Sequence, residues 1–433
     1  MKLNIAAGFL GMFWLAVSNG MPLPLLMQAV KASGFQLGLL SGVRQFAMLA
    51  QLPSAFIVEE LHRRKPYWAV AQIIQRTLWV VPALLPLLLP DRRDLWAVVI
   101  IGSLGFGELL GNAGTAPWYS WMADLLPPGR AGRFWGARQR VLSVSVLLAS
   151  LLFGIILDTF ASRGFLGFQI VFAIAAIFGV GDILVHMAVH EPAPVRRTSH
   201  ESRWHRLITP LRSRDFRRLT FAMGIWTAAV TMTGYSGGLP SFFSIVYLKE
   251  SFGATYGQAS WVFIASAVGA ILWTPRIGRM IDQRGARRTL LYLMAAGPFF
   301  TLAWLFVTPG QCAVPGIGIV PQPIFLIGVA SLIVGGFYSG VTLCQTRLTQ
   351  ALTTASGRTV AMGLHWSLVG LIGTCGALMA GWMKDHLQIN GICLAPGFAP
   401  FSYFQVLILM QVALAWGVTL PLIRGLSVSA LEG

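Results

Sequence analysis

The sequence predicts an all-α membrane protein, with twelve transmembrane helices in two pseudo-symmetric six-helix bundles. Three observations carry that expectation. Of its 433 residues, 55% are hydrophobic and only 11% are charged, whereas a soluble domain carries about 25% charged residues. Continuous apolar runs recur along the chain, each long enough to cross a hydrocarbon core of about 30 Å as a helix. Three short motifs also recur in the same order, offset by 218, 223 and 225 residues. Ser18-Asn19-Gly20-Met21-Pro22 returns as Ser236-Gly237-Gly238-Leu239-Pro240. Ala55, Glu59 and Arg63-Arg64-Lys65 return as Gly278, Asp282 and Gly285-Ala286-Arg287-Arg288, and Gly132-Arg133 returns as Gly357-Arg358. A β-barrel would need alternating apolar and polar positions, which these runs lack.

The twelve expected spans cover 5–30, 36–58, 67–89, 95–122, 136–158, 164–188, 217–247, 256–277, 288–308, 322–350, 359–383 and 400–424. They group as a first bundle over 1–189, a basic linker over 190–216 and a second bundle over 217–433. The linker holds Pro192, Pro194 and Pro210 and mixes Trp204, Leu207, Ile208 and Leu211 with Arg203, Arg206, Arg212 and Arg214. Such a segment either lies on an anionic leaflet as an amphipathic stretch or is a solvated tether. The first 30 residues carry only Lys2 as a basic start and no clear cleavage site, and read as a retained span, not a signal peptide.

The net charge of +17 is sorted by side. Arg63-Arg64-Lys65, Arg130 to Arg140, the stretch from Arg196 to Arg218, Arg276 to Arg288, Arg358 and Arg424 all share one face if the spans alternate in direction. The opposite loops hold Lys31, the balanced Asp91-Arg92-Arg93-Asp94, Arg163, Lys249 beside Glu250, and Lys384 beside Asp385. Basic loops stay cytoplasmic, so both termini are expected inside, in a bacterial inner membrane. This sorting speaks against nucleic acid as the partner of the positive charge. Of four cysteines, Cys344 and Cys375 lie in spans as small packing residues, and Cys312 and Cys393 fall in outward loops, either bonded or free. None has metal-ligand spacing, and no cofactor is called for.

Polar residues inside the spans mark candidate functional sites. In span 4, Glu108, Asn112, Thr115 and Tyr119 share one helix face, and in span 10 Ser331, Gly335, Tyr338, Thr342 and Gln345 repeat that spacing. Lipid offers such stripes no partners, so they face either other helices or a shared water-filled cavity. The Ser-x-Gly-x-Pro repeat interrupts spans 1 and 7, because proline removes a donor and kinks a helix. Matching breaks point to a transport site, placing Trp14, Ser18, Asn19, Tyr235 and Ser236 near the cargo, unless the kinks serve packing alone. Arg44, Arg76 and Glu108 lie deep in spans 2, 3 and 4, at about 2.5–3.5 kcal/mol each on insertion scales, and are paired or functional. Glu108 is a candidate proton carrier controlled by Arg44 and Arg76, or else a static ion-pair partner. The surplus arginine can receive an anionic group. Asp182 and His186 are expected at the interface.

Two six-span halves, a basic central loop and the motif between spans 8 and 9 resemble the major facilitator superfamily. The family's loop signature runs roughly Gly-x3-Asp-[Arg/Lys]-x-Gly-[Arg/Lys]-[Arg/Lys]; Gly278, Asp282, Gly285 and Arg287 match it, with Gln283 and Ala286 departing. The first-half copy is more degenerate, with Ala55, Glu59 and His62 at altered positions and Arg63 and Arg64 matching. The resemblance implies that Asp282 latches onto the start of span 5 near Arg133, and Glu59 onto the start of span 11 near Arg358. Gly285 then permits the turn that returns Arg287 towards the acid.

The resemblance makes the chain a secondary active transporter, not an enzyme. It moves a small polar organic solute such as a sugar, sugar acid or carboxylate by alternating access, with protons or sodium as the coupling ion, as a monomer in a lipid bilayer. A drug or lipid exporter is the alternative, although span 5 lacks the Gly-Pro signature of drug antiporters, having a lone Gly154 and no proline. A non-transporting sensor is the alternative of another class. No Gly-x4-Gly-Lys-[Ser/Thr] loop occurs, which speaks against direct ATP use.

Overall fold

Three helix starts on the face opposite the basic loops share one local device. Ser33, Thr255 and Ser402 each accept a hydrogen bond from the backbone N–H three residues on, while Gln36, Gln258 and Gln405 reach back to the cap residue's own N–H. Each capping box satisfies two donors the helix cannot. They open spans 2, 8 and 12 in the computed structural model, which describes residues 1–125, 131–192, 203–236, 239–240, 242–314, 316, 318–353, 358–387 and 401–427.

Among the described residues, ten helical segments are long and apolar enough to cross a membrane. Span 1 is Lys2–Ser18 and Pro22–Ala29, span 3 is Arg64–Leu78 and Val81–Leu88, and span 4 is Arg93–Ala113 and Thr115–Leu125. Spans 5 and 6 are Ala131–Thr159 and Leu166–Met187. Spans 8, 9, 10 and 11 are Tyr256–Arg284, Ala286–Thr301, Gln322–Ala351 and Arg358–Leu387. Span 12 runs from Tyr403–Leu414 through a π turn to Leu420–Arg424.

The remaining two expected spans are broken. Span 2 is Gly34–Phe46, a 3₁₀ turn at Ala47–Ala50, and Gln51–Glu60, which contains Pro53, Ser54 and two glutamates. Span 7 is the helix Arg214–Met232, then an antiparallel pairing of Tyr235–Ser236 with Leu239–Pro240, then the helix Phe242–Phe252. Spans 1 and 7 are thus interrupted where the repeated motif falls, and Pro22 sits in the first turn of the restarted helix, where its missing N–H costs nothing. Between spans 9 and 10, Gln311–Val314 and Gly318–Pro321 form a hairpin. Cys312 lies in that hairpin and is a free cysteine among the described residues, while Cys393, its possible partner, lies outside them.

The linker contains a helix, Arg203–Arg212. Its Leu211 packs with Leu52 of span 2 and with Phe216, Ala361 and Leu364 of spans 7 and 11. Arg206 lies 5.8 Å above the Phe56 ring. Trp204 and Ile208 face outward, with Trp204 73% exposed.

Two helix pairs join the halves. Span 2 meets span 11 through small residues: a Cβ on Gly38 would sit 2.6 Å from the Ala377 carbonyl and 3.0 Å from Gly381 Cα. Thr374 donates to the Gly42 carbonyl at 3.3 Å and Ser367 to that of Met48 at 3.1 Å. Small residues let backbones approach this closely in a membrane. Span 5 meets span 8 at Gly154, where a Cβ would lie 2.5 Å from Ser260 Oγ.

At the face opposite the basic loops, both pairs end in the same device. The Asp385 carboxylate, closing span 11, accepts from the N–H groups of Gly34 and Phe35 at 2.5 and 2.7 Å. The Asp158 carboxylate, closing span 5, accepts from those of Tyr256 and Gly257 at 2.8 and 2.7 Å. Each acid thus sits on the positive end of a helix in the other half. Lys384 pairs with Glu250 at 3.0 Å, leaving Asp385 to span 2. An apolar cluster spanning both halves, with Met21, Trp96, Phe168, Phe243, Tyr247 and Phe404, fills the space between the latches.

The basic face is asymmetric. Ala55 is buried beside Gly363 of span 11, with a Cβ built there 3.6 Å from its own. Its repeat partner Gly278 has nothing within 4 Å of where a Cβ would stand. The expected Asp282 latch is not formed: Asp282 is exposed and has no hydrogen bond or ion pair among the described residues. Gly285 does turn the chain with φ of 82°, which favours glycine, and Arg287 donates to the carbonyls of Ile423 and Arg424 in span 12. Arg64 is buried and bound within the first half, to Asp124 and Ser120 at 2.7 Å each, while Glu191 accepts from its backbone N–H. Arg63 is exposed. The side chains of Glu59, Arg133 and Arg358 lie outside the described part.

If the two latches hold the opposite face shut, Asp158→Asn/Asp385→Asn should open it. Each latch is worth about 1 kcal/mol, so the pair shifts the closed-to-open ratio by on the order of tenfold or more. Maleimide labelling of a cysteine introduced at Leu26 in a cysteine-depleted chain should rise accordingly. An unchanged labelling rate means the apolar cluster alone seals that face.

Candidate functional site

A cavity of about 410 Å³ opens in the first half. Its deep end holds Trp14, Gln75, Arg76 and Glu108, and its other end Trp68, Trp118, Tyr119, Arg138 and His186. Trp14 and Arg76 are 8% exposed and Tyr119 61%, so the cavity reaches the surface at Tyr119.

Glycines on neighbouring helices make the room for its polar side chains. A Cβ on Gly11 of span 1 would lie 2.5 Å from the Asp182 carboxylate, and one on Gly179 of span 6 would lie 2.7 Å from Arg76 Cδ. Gly111 and Gly114 of span 4 leave space in the same way for the amides of Gln75 and Gln72, and Gly8 of span 1 for Arg138.

The charges are individually held. Arg44 Nε stands 3.4 Å from Glu108 Oε1 and also donates to the Ser18 carbonyl at 2.8 Å, to Ser18 Oγ and to Asn19 Oδ1. Arg76 stacks on Trp14 with Cζ 3.4 Å from the ring centroid and donates to Gln75 Oε1 at 2.7 Å. Arg138 lies 5.2 Å from the Trp118 centroid and 5.6 Å from that of Trp135, and its Nε donates to Asn4 Oδ1 at 3.0 Å. Asp182 holds His186 Nδ1 at 2.9 Å. Both acids of the cavity, Glu108 and Asp182, therefore have a cationic or imidazole partner within 4 Å, while among the described residues Arg76 and Arg138 have no carboxylate that close. Arg76 Nε and Trp14 Nε1 are buried donors without a partner there, a condition that buried polar atoms rarely tolerate.

Expected site residues divide into three groups. Trp14, Arg76, Glu108, Asn112, Thr115 and Tyr119 line the cavity. Arg44, Ser18 and Asn19 are tied to one another at the break in span 1 and support Glu108 from outside it. Tyr235, Ser331 and Tyr338 are buried in the second half and do not line this cavity, correcting the expectation of a pocket shared equally by spans 1, 4, 7 and 10. Tyr235 accepts from Trp304 Nε1 at 2.9 Å, and Tyr338 bonds Thr301 at 3.0 Å and Gln411. These hydroxyls find protein partners, so their span can pack dry. Thr342 is exposed, outside the cavity lining, and donates to the Tyr338 carbonyl; the Ser236 side chain lies outside the described part.

Asp182 and His186, expected at the interface, are 6% and 3% exposed and line the cavity instead. Sequence reasoning also passed over Trp68, Gln72, Gln75, Trp118 and Arg138. Gln72, Gln75 and Arg76 stand at i, i+3 and i+4 on span 3, and that polar stripe was the available signal.

The model of the Major Facilitator Superfamily matches residues 3–365, and the chain belongs to that family. No match is found among curated proteins. Among solved structures, the chain is similar to the nucleoside transporter NupG, at 14% identity, covering 98% of this chain and 99% of that one, with a TM-score of 0.68. A D-xylose-proton symporter gives 14%, 96% of each chain and 0.61. A bacterial homologue of the iron transporter ferroportin, in an inward-facing state, gives 14%, 98% and 97%, and 0.61. At such identities the likeness is one of fold.

Removing one member of the Arg44–Glu108 pair leaves the other charge buried, a loss of about 3–5 kcal/mol. Arg44→Met should therefore lower the thermal midpoint of the purified protein well below that of Arg44→Met/Glu108→Leu. A double variant no more stable than the single one would show that Arg44 acts through Ser18 and Asn19 alone.

Proposed function

We propose that this chain is a secondary active transporter that moves a small polar organic solute bearing an acidic group, such as a sugar acid or carboxylate, in symport with protons. The carrying observation is the cavity itself: two guanidinium groups with no carboxylate within 4 Å among the described residues, Arg76 stacked on Trp14 and Arg138 within 6 Å of Trp118 and Trp135, while the face opposite the basic loops is latched. A volume of about 410 Å³ is in the range of small-molecule sites. The fixed guanidiniums suit a carboxylate or phosphate, and the tryptophan faces suit the apolar face of a sugar ring. The same indoles suit a stacked nucleobase, so nucleosides are the second class to test.

On this reading the basic loops and both termini are cytoplasmic, in a bacterial inner membrane, and the conformation is inward-open, with a single chain as the working unit. Cargo and proton reach Trp14, Arg76 and Glu108 from the cytoplasmic side. Closing that side brings spans 5 and 8 together, so that Asp282 meets the start of span 5 as the family motif implies. Opening the other side breaks the Asp158 and Asp385 contacts. Glu108 carries the transported proton, and Arg44 sets its affinity.

Thermal stabilisation by a panel of sugar acids, carboxylates, neutral sugars and nucleosides identifies the cargo class. With that cargo in proteoliposomes, an inward proton gradient should drive accumulation in the wild type. Glu108→Gln should abolish accumulation while leaving counterflow exchange within a few-fold of wild type. Accumulation that survives in this variant removes Glu108 from coupling. Binding without movement identifies a sensor, and movement only against an opposite gradient identifies an exporter.

A further inference from the structure

Four side chains beside the cavity form a hydrogen-bonded chain, whose Asn4 amide nitrogen also donates to Met122 Sδ at 3.2 Å. Arg138 Nε donates to Asn4 Oδ1 at 3.0 Å. The Asn4 amide nitrogen faces His186 Nε2 at 3.0 Å. His186 Nδ1 faces Asp182 Oδ1 at 2.9 Å and the Asp182 carbonyl at 3.2 Å. Asn4 and His186 are buried, at 0% and 3% exposure.

The chemistry of the donors assigns every proton. A guanidinium only donates, so it must meet the amide oxygen, which turns the NH₂ of Asn4 towards His186. His186 Nε2 must then be a bare acceptor, and Nδ1 carries the hydrogen that Asp182 accepts. The imidazole is neutral in this arrangement. A proton added to Nε2 from cavity water would set N–H against N–H. The Asn4 amide can relieve this only by turning over, giving Oδ1 to the imidazolium and its NH₂ to Arg138, which cannot accept. One carbonyl oxygen therefore serves either Arg138 or protonated His186.

We propose that His186 is a proton-accepting site of this protein and that Asn4 couples it to Arg138, so that proton uptake at Nε2 releases the Arg138 guanidinium to receive an anionic group in the cavity. This rests on the cavity being the cargo site. Asn4 is a positioning residue: it touches no cargo and passes the change in charge from one helix to another. Proton and anion are then favoured together, which is the sign symport requires.

Charged and titratable groups face His186 from each packed helix. Asp182 lies on its own helix and is within electrostatic range of Arg76 of span 3 and Arg138 of span 5. Tyr119 of span 4 acts on Arg138, and Glu108 of the same span on Arg76. Lys65 stacks on Trp121, whose ring faces His186 in turn, while Arg64 and Asp124 pair beyond it. Asn4 is the contribution of span 1.

The test needs no cargo. The rings of Trp68, Trp118 and Trp121 lie 5.2, 6.5 and 6.5 Å from that of His186, so an imidazolium there should quench their emission. Tryptophan fluorescence of the full chain should show a transition between about pH 5 and 8 that His186→Gln removes. An identical transition in that variant overturns the proposal. Should the variant fail to fold, ring-¹⁵N histidine resonances of the wild type give the same answer: one histidine must be a neutral Nδ1–H tautomer at high pH and titrate. If none does, the proposal fails. Arg138→Met frees the Asn4 carbonyl and should raise the midpoint by about one pH unit, tenfold in proton affinity. In an Asn4→Leu background that increment should shrink to under half. An increment independent of Asn4 leaves only through-space repulsion and overturns the coupling. Failure here leaves the transport reading standing, and absence of transport leaves this titration untouched.

Discussion

Lipid offers no hydrogen bonds, and the rest of the structure depends on how the chain answers that constraint. Polar side chains inside the bundle must be met by protein, by water or by cargo. Glycine is the means in both halves, with different results. In the second half, Gly269, Gly335 and Gly376 bring the backbones of Leu332, Ser266 and Ala228 into contact. Helix lies on helix, and hydroxyls such as those of Tyr235 and Tyr338 are satisfied by Trp304, Thr301 and Gln411. In the first half, Gly11, Gly111, Gly114 and Gly179 face Asp182, Gln75, Gln72 and Arg76. The space a side chain would take is filled by a neighbour's polar group, and a wet chamber results.

Closure is decided by where helix ends meet carboxylates. The two latches are repeat-related: Asp158 and Asp385 end spans 5 and 11, and each reaches the first residues of a capped helix, span 8 or span 2, in the other half. A carboxylate on a helix N-terminus is an attraction that costs little to break, because water replaces both partners once the face opens. That suits a contact meant to be made and lost. On the proposed reading, Asp282 uses the same chemistry on the basic face. There the two repeats differ, since Ala55 stays buried against Gly363 while Gly278 stands clear.

The fold was legible because its signals are local. Apolar runs, the Pro22 and Pro240 interruptions and the ordered repeats each depend on residues close in sequence. Half of the cavity was legible too, since Glu108, Asn112, Thr115 and Tyr119 declare one helix face. Symmetry misled the rest. The repeat of that stripe at Ser331 and Tyr338 suggested a shared pocket, but Thr301 and Gln411, which satisfy the Tyr338 hydroxyl, sit on spans 9 and 12, and no pattern within span 10 announces them. Asp158 and Asp385 read as ordinary loop charges, because their partners are backbone N–H groups 98 to 351 residues away. His186 read as interfacial for the same reason: its burial is set by Asn4, 182 residues distant.

The asymmetry has a mechanical consequence. Cavity-lining charge in both halves would tie the cost of moving them to the desolvation of two sites at once. Here Arg44, Arg76, Glu108, Asp182 and His186 all move with the first half, so their mutual contacts survive a rigid rotation of one half against the other. What changes in such a rotation is the seam: the glycine contacts of spans 2 and 11, the Gly154–Ser260 approach, and the two carboxylate latches. None of these involves a buried ion pair. On the proposed reading, the halves rock on surfaces that release backbone hydrogen bonds to water, while the arrangement around Glu108 and His186 stays within the first half.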